Sequence, residues 1–161
     1  MNSSPATSPL SAQLLNAQTE RAVWMSLLAQ TPFPNLQNLV QNYGALPQAT
    51  WLREPEIGLA MVRARTGGTG SQFNLGEITV TRCTVKLSTG EIGHAYLAGR
   101  NKKHAEWAAL FDALMQTDEA ASVREKVLVP ITASLAKQKK EIQAQAEATK
   151  VDFLTMVRGE D

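Results

Sequence analysis

Gly58-Leu59-Ala60-Met61-Val62-Arg63-Ala64-Arg65, followed at once by Thr66-Gly67-Gly68-Thr69-Gly70, carries the first strand signal in the chain. Ala60, Val62 and Ala64 fall on one face and Leu59, Met61, Arg63 and Arg65 on the other. A period of two is what a pleated strand imposes. Glu77 to Leu87, rich in Thr and Val, reads as a second long strand. Its apolar phase slips between Val80 and Cys83, which predicts a bulge near Arg82. Ser88-Thr89-Gly90 makes a tight turn, and Glu91 to Ala98 returns as a third strand. The result is an antiparallel meander. Trp51 to Glu54 is a candidate fourth strand at its edge, demoted by Pro55, since proline cannot donate to a ladder.

Helical patterns flank the meander. From about Ser11 to Gln30, the residues Leu14, Leu15, Ala22, Trp24, Met25, Leu27 and Leu28 recur at helical spacing. Thr31-Pro32-Phe33-Pro34 stops that helix. In the next, Leu36, Leu39, Val40 and Tyr43 share a face and Gly44 suits the end. After the meander, Gly99-Arg100-Asn101 opens a helix with Asn101 as its cap. Ala105, Ala108, Ala109, Leu110, Ala113 and Leu114 give that helix a small-residue side able to lie close to a sheet. The expected fold is α+β: an N-terminal helical hairpin, an antiparallel β-meander of three to four strands, and C-terminal helices interrupted near Pro130. Residues 1–10 read as a flexible N-terminus. Residues 11–117 read as the α+β core, and 118–161 as a helical region for packing or subunit contact.

Bulk composition narrows the function classes. A chain of 161 residues that is 43% hydrophobic can bury a core and is not generally disordered. Sixteen basic against fifteen acidic residues leave a net charge of +1, so no broad nucleic-acid surface is expected. Cys83 stands alone, which excludes a disulfide framework or a Cys-based metal site within the chain and points to a reduced, cytoplasmic setting. No apolar run is long enough to cross a bilayer, and Met1 to Pro9 lacks the charged start and apolar middle of a signal peptide.

Arg63 to Gly70 is the densest candidate site. Gly67, Gly68 and Gly70 open backbone conformations closed to other residues, and successive amides can then form a nest for an anion. Arg63 and Arg65, on one strand face, could both reach a single phosphate or carboxylate, with Arg82 joining from the adjacent strand. An ordinary hairpin loop with surface arginines accounts for the same residues. No Gly-Lys-Ser/Thr follows, so this is not a Walker loop. Arg100, ahead of a capped helix, is a further anion candidate. Phe73 and Leu75, beside the loop, could pack it down or meet a partner, and packing is the expected role. His94, His104 and Cys83 sit in no catalytic or metal-ligand spacing, and structural roles are expected for all three. Catalytic residues stay unassigned. In the C-terminal region Leu128, Ile131, Leu135 and Ile142 form a thin seam suited to another helix or subunit. Val151, Phe153, Leu154, Met156 and Val157 add an apolar patch.

Taken together, several of these stretches resemble the PhnG family. They are Val62 to Gly70, Thr79-Val80-Thr81-Arg82, Gly99 to Glu106, Ala109 to Gln116 and Val151 to Gly159. The resemblance implies a subunit of the bacterial carbon–phosphorus lyase system. It implies assembly with PhnI, PhnH and PhnJ in a symmetric core holding two PhnG copies, with PhnL and PhnK associating. The step it implies transfers an alkylphosphonate to the ribose C1 of ATP, releasing adenine and giving a ribose 1-alkylphosphonate 5-triphosphate. It further implies no cofactor on this chain alone, with an iron–sulfur cluster only in PhnJ.

Overall fold

The computed structural model describes residues 9–149, with side chains from residue 18 onward. Helix α1 (Pro9–Gln30) ends where Thr31 bonds back to the Leu27 carbonyl through both its amide and its hydroxyl. Pro32 then caps α2 (Phe33–Tyr43). The four-residue stop expected at Thr31 to Pro34 is thus a two-residue turn. Pro34 fits inside the first turn of α2, where its missing amide costs nothing. Gly44 closes α2 at φ +104°, its amide bonded to the Val40 carbonyl.

Three strands follow in the order β1-β2-β3, all antiparallel: β1 (Ala49–Arg65), β2 (Gln72–Leu87) and β3 (Ile92–Ala98). The candidate fourth strand at Trp51 to Glu54 is the start of β1, which runs straight through Pro55. The edge position of β1 makes this possible. Its register against β2 shifts between Trp51 and Arg53 and again between Arg53 and Glu56, so Pro55 falls in an irregular stretch that needs no ladder donor. The bulge expected near Arg82 lies opposite it, on β1, where Arg53 to Glu56 has one residue more than Thr84 to Arg82, while β2 itself pairs with β3 unbroken from Val80 to Lys86. The apolar phase slips there because Val80 and Thr81 are both buried.

Helix α3 (Lys102–Leu114) is the core of the molecule. The Asn101 side chain accepts from the His104 amide at 2.9 Å, the expected cap. The small-residue side does lie on the sheet. An added Cβ at Gly93 of β3 would stand 1.9 Å from the Ala109 carbonyl oxygen. Thr81, Cys83, Val85 and Leu87 of β2 and Ala95 and Leu97 of β3 are buried on this face. On the far side of α3 lie α1 and α2, which pack on α3 and the C-terminal region more than on each other. Asp112, Arg21 and Trp24 lock α1 to α3: the buried carboxylate accepts from Arg21, from Trp24 Nε1 at 2.8 Å and from the His94 amide at 2.8 Å.

The C-terminal region is helical from Ala120 to Ala148, as α4 (Ala120–Val123), a π-turn (Arg124–Leu128) and α5 (Val129–Ala148). The interruption expected near Pro130 is this π-turn, which sits directly ahead of the proline. The seam divides. Leu128 and Ile131 are buried in the chain's own core and Leu135 packs at its margin, whereas Ile142 is 59% exposed. The apolar patch from Val151 to Val157 lies outside the described residues.

Candidate functional site

The Gly-rich loop sits at the tip of an arm. Pairing of β2 with β3 ends at Val80 opposite Ala98, but β1 and β2 continue together to Arg65 opposite Gln72. At ordinary strand rise the two-stranded arm extends roughly 25 Å beyond the three-stranded sheet. Directly paired residues share a face, so Ile57, opposite the buried Thr81, begins the arm's continuation of the face that α3 covers. Alternation then places Leu59, Met61, Arg63 and Arg65 on that face, as the sequence pattern predicts. Among the described residues no cover reaches them. Leu59 is 65% exposed, and Ile57 and Met61 about half. Phe73 and Leu75 are also exposed, contrary to the expectation that they pack the loop down. Among the described residues no helix lies above this part of β2 to receive them.

At the tip, Thr66–Gly68 forms a single 3₁₀ turn with Gly67 at φ +59° and Gly68 at φ +84°. These backbone angles favour glycine. Gly70 is required for a different reason: an added Cβ would lie 2.6 Å from the Thr66 carbonyl oxygen. The loop's amides are largely spent on the loop. Thr69 and Gly70 both donate to the Thr66 carbonyl, and Thr66 donates to Ser71. Arg65 closes the turn by donating from Nη1 to the Gly70 carbonyl at 3.2 Å. Arg63 has no hydrogen-bond or ion-pair partner among the described residues.

Arg63, Arg65, Gly67, Gly68 and Gly70 are therefore brought together, and Arg82 and Arg100 are not. Arg82 lies on the opposite face, paired across the ladder with Glu56 and bonded to its carboxylate at 2.6 Å. Arg63 lies seven positions along β1 from Glu56, about 23 Å of strand. Arg100 is exposed at the base of the arm, beside the Gly99 amide that bonds the Thr79 carbonyl.

The other titratable residues serve the fold. His104 is buried, with Nε2 2.8 Å from the Leu28 carbonyl, beside the stacked rings of Phe33 and Trp107. His94 is exposed, with Nδ1 3.1 Å from Thr84 Oγ1. Burial pushes the Cys83 thiol up to about 11, with a smaller contribution from the Glu106 carboxylate. A neutral thiol is a poor nucleophile. Among the described residues no group of three His, Cys, Asp or Glu is placed to hold a metal ion, and no helix is long and apolar enough to cross a membrane. A groove of about 350 Å³ between α1 and the π-turn, lined by Val23, Trp24, Leu27 and Leu128, lies in the helical body rather than at the loop. The Asp112 cluster escaped the sequence reading. Its only trace was an acidic residue among the apolar ones of the second half of α3.

These features define an α+β domain whose distinctive surface is a projecting, glycine-tipped arm. A family model described as phosphonate metabolism protein PhnG matches residues 19–159. The alpha-D-ribose 1-methylphosphonate 5-triphosphate synthase subunit PhnG of Rhizobium meliloti (strain 1021) is 43% identical over 142 residues, covering 88% of this chain and 91% of the relative. The chain belongs to the PhnG family.

Proposed function

We propose that this chain is an accessory subunit of a multi-subunit synthase of phosphonate metabolism. The enzyme joins an alkylphosphonate to the ribose C1 of ATP with loss of adenine. The 43% identity to a synthase subunit along nearly the whole chain supports this reading. The catalytic chemistry belongs to companion subunits: PhnI, PhnH and PhnJ in a core with two copies of this chain, joined by PhnL and PhnK. ATP is a substrate of the assembly, the iron–sulfur cluster belongs to PhnJ, and this chain carries no cofactor of its own. The free, buried Cys83 fits a reduced cytoplasmic setting.

The observation that carries the accessory role is the loop itself. Three of its amides, those of Thr66, Thr69 and Gly70, are committed to loop carbonyls, which leaves fewer donors for an anion nest and supports this reading. The purified chain is expected to show neither adenine release from ATP nor phosphonate transfer, and both should appear on reconstitution with the companions. Turnover by the isolated chain would defeat the accessory role.

A second reading has one observation in its favour. Arg63 and Arg65 share a face, and neither has a carboxylate partner among the described residues, so together they could hold a triphosphate or phosphonate. Alanine at both positions would then weaken substrate use while the complex still assembled.

A further inference from the structure

The outer edge of β1 changes character along its length. Near the core it is blunted by two register shifts and by Pro55, the usual protections of a sheet edge. From Glu56 to Val62 the register is regular; the shift between Val62 and Arg63 places its extra residue, Leu75, on β2, so β1 itself runs on unbulged to Arg65 with no proline and no lysine. The arm is apolar as well as bare. Ile57, Leu59, Met61, Phe73, Leu75 and Ile78 are all exposed. Ile57, Leu59 and Met61 lie on the α3-side face, whereas Phe73 and Ile78, opposite Ala64 and Ala60, lie on the other, so exposed apolar side chains flank this edge on both faces.

Charge indicates what kind of strand fits there. On the arm's α3-side face the edge strand reads Ile57, Leu59, Met61, Arg63, Arg65, and the one carboxylate of that face is Glu77 of β2, opposite Met61. In a two-fold pairing of two β1 edges, residues of the same face would stand opposite one another. Arg63 and Arg65 of each copy would then face Ile57, Leu59 or Met61 of the other, and no acid on either edge would meet them. A second copy is a poor match.

We propose that the β1 edge from Ile57 to Arg65 receives an extended segment of a companion subunit. That segment carries apolar side chains over Leu59 and Met61 and carboxylates opposite Arg63 and Arg65. Main-chain bonds would supply affinity and the alternating side chains register. This inference rests on the multi-subunit reading above.

Hydrogen–deuterium exchange on the full chain, alone and co-expressed with the companion subunits named above, tests it. The outward-facing amides between Ile57 and Arg65 should exchange at least tenfold more slowly in the assembly. A Leu59→Asp/Met61→Asp double variant should keep the Tm of the free chain and recover companions at least tenfold less well. Unprotected β1 amides in an assembly that does form would overturn the proposal, as would full recovery by the double variant. So would protection of the same amides in a dimer of this chain alone. If the wild-type chain recovers no companion, the subunit reading itself fails and takes this inference with it.

Discussion

Arg21 on α1 and Asp112 on α3 meet through a 2.7 Å ion pair in which the Asp112 side chain is fully buried while the Arg21 side chain is 32% exposed. Asp112 also accepts from Trp24 Nε1 and from the His94 amide, so one carboxylate ties two helices and β3 together. Removing it strands several donors in a dry site. Asp112→Ala should cost about 3–5 kcal/mol, and Arg21→Ala distinctly less because water can reach its site. Urea unfolding of the two variants measures both, and equal costs would contradict this asymmetry.

Gly93 and Gly76 should respond differently to the same change. An alanine Cβ at Gly93 would meet the Ala109 carbonyl oxygen at 1.9 Å and the Ala113 amide at 2.6 Å, both backbone atoms that cannot swing aside. At Gly76, on the arm, nothing lies within 4 Å. Gly93→Ala should therefore separate α3 from the sheet, with a loss of several kcal/mol. Gly76→Ala should leave Tm within a few degrees of wild type. Thermal denaturation followed by circular dichroism reads the contrast.

Features with a strict period were legible before any coordinates. Alternation from Leu59 to Arg65 assigned the β1 faces, the alanines of α3 marked its sheet side, and Asn101 announced a cap. Features set by what happens to lie overhead were not. Phe73 and Leu75 look like packing residues in sequence, and only the end of β3 at Ala98 explains why they stay exposed. Arg82 was grouped with Arg63 and Arg65 by its adjacent strand. The register sends it instead to Glu56 on the other face. Pro55 suggested a break after a separate edge strand, because the sequence does not reveal that β1 bulges there and runs on.

Cys83 gives the fold a sign-definite response to alkali. Its thiol is raised from an ordinary 9.0 to about 11 in the folded chain by burial. The folded state thus holds the proton more tightly than the unfolded state. The resulting stability is fully present below about pH 9 and is lost as pH rises toward about 11. Unfolding free energy plotted against pH should fall less steeply across that window in Cys83→Ala than in wild type. A thiol reagent at pH 8 should label Cys83 only on unfolding, and rapid labelling of the native chain would contradict its burial.

Arg63 and Arg65 separate an assembly arm from a ligand clamp. The decisive measurement is made on synthase assembled with the Arg63→Ala/Arg65→Ala chain, scoring both recovery of complex and the KM for ATP. An assembly arm predicts at least several-fold lower recovery of complex, with the KM for ATP unchanged in what does assemble. Full recovery of complex with a KM for ATP raised tenfold or more would contradict it and make the arm a substrate-binding element.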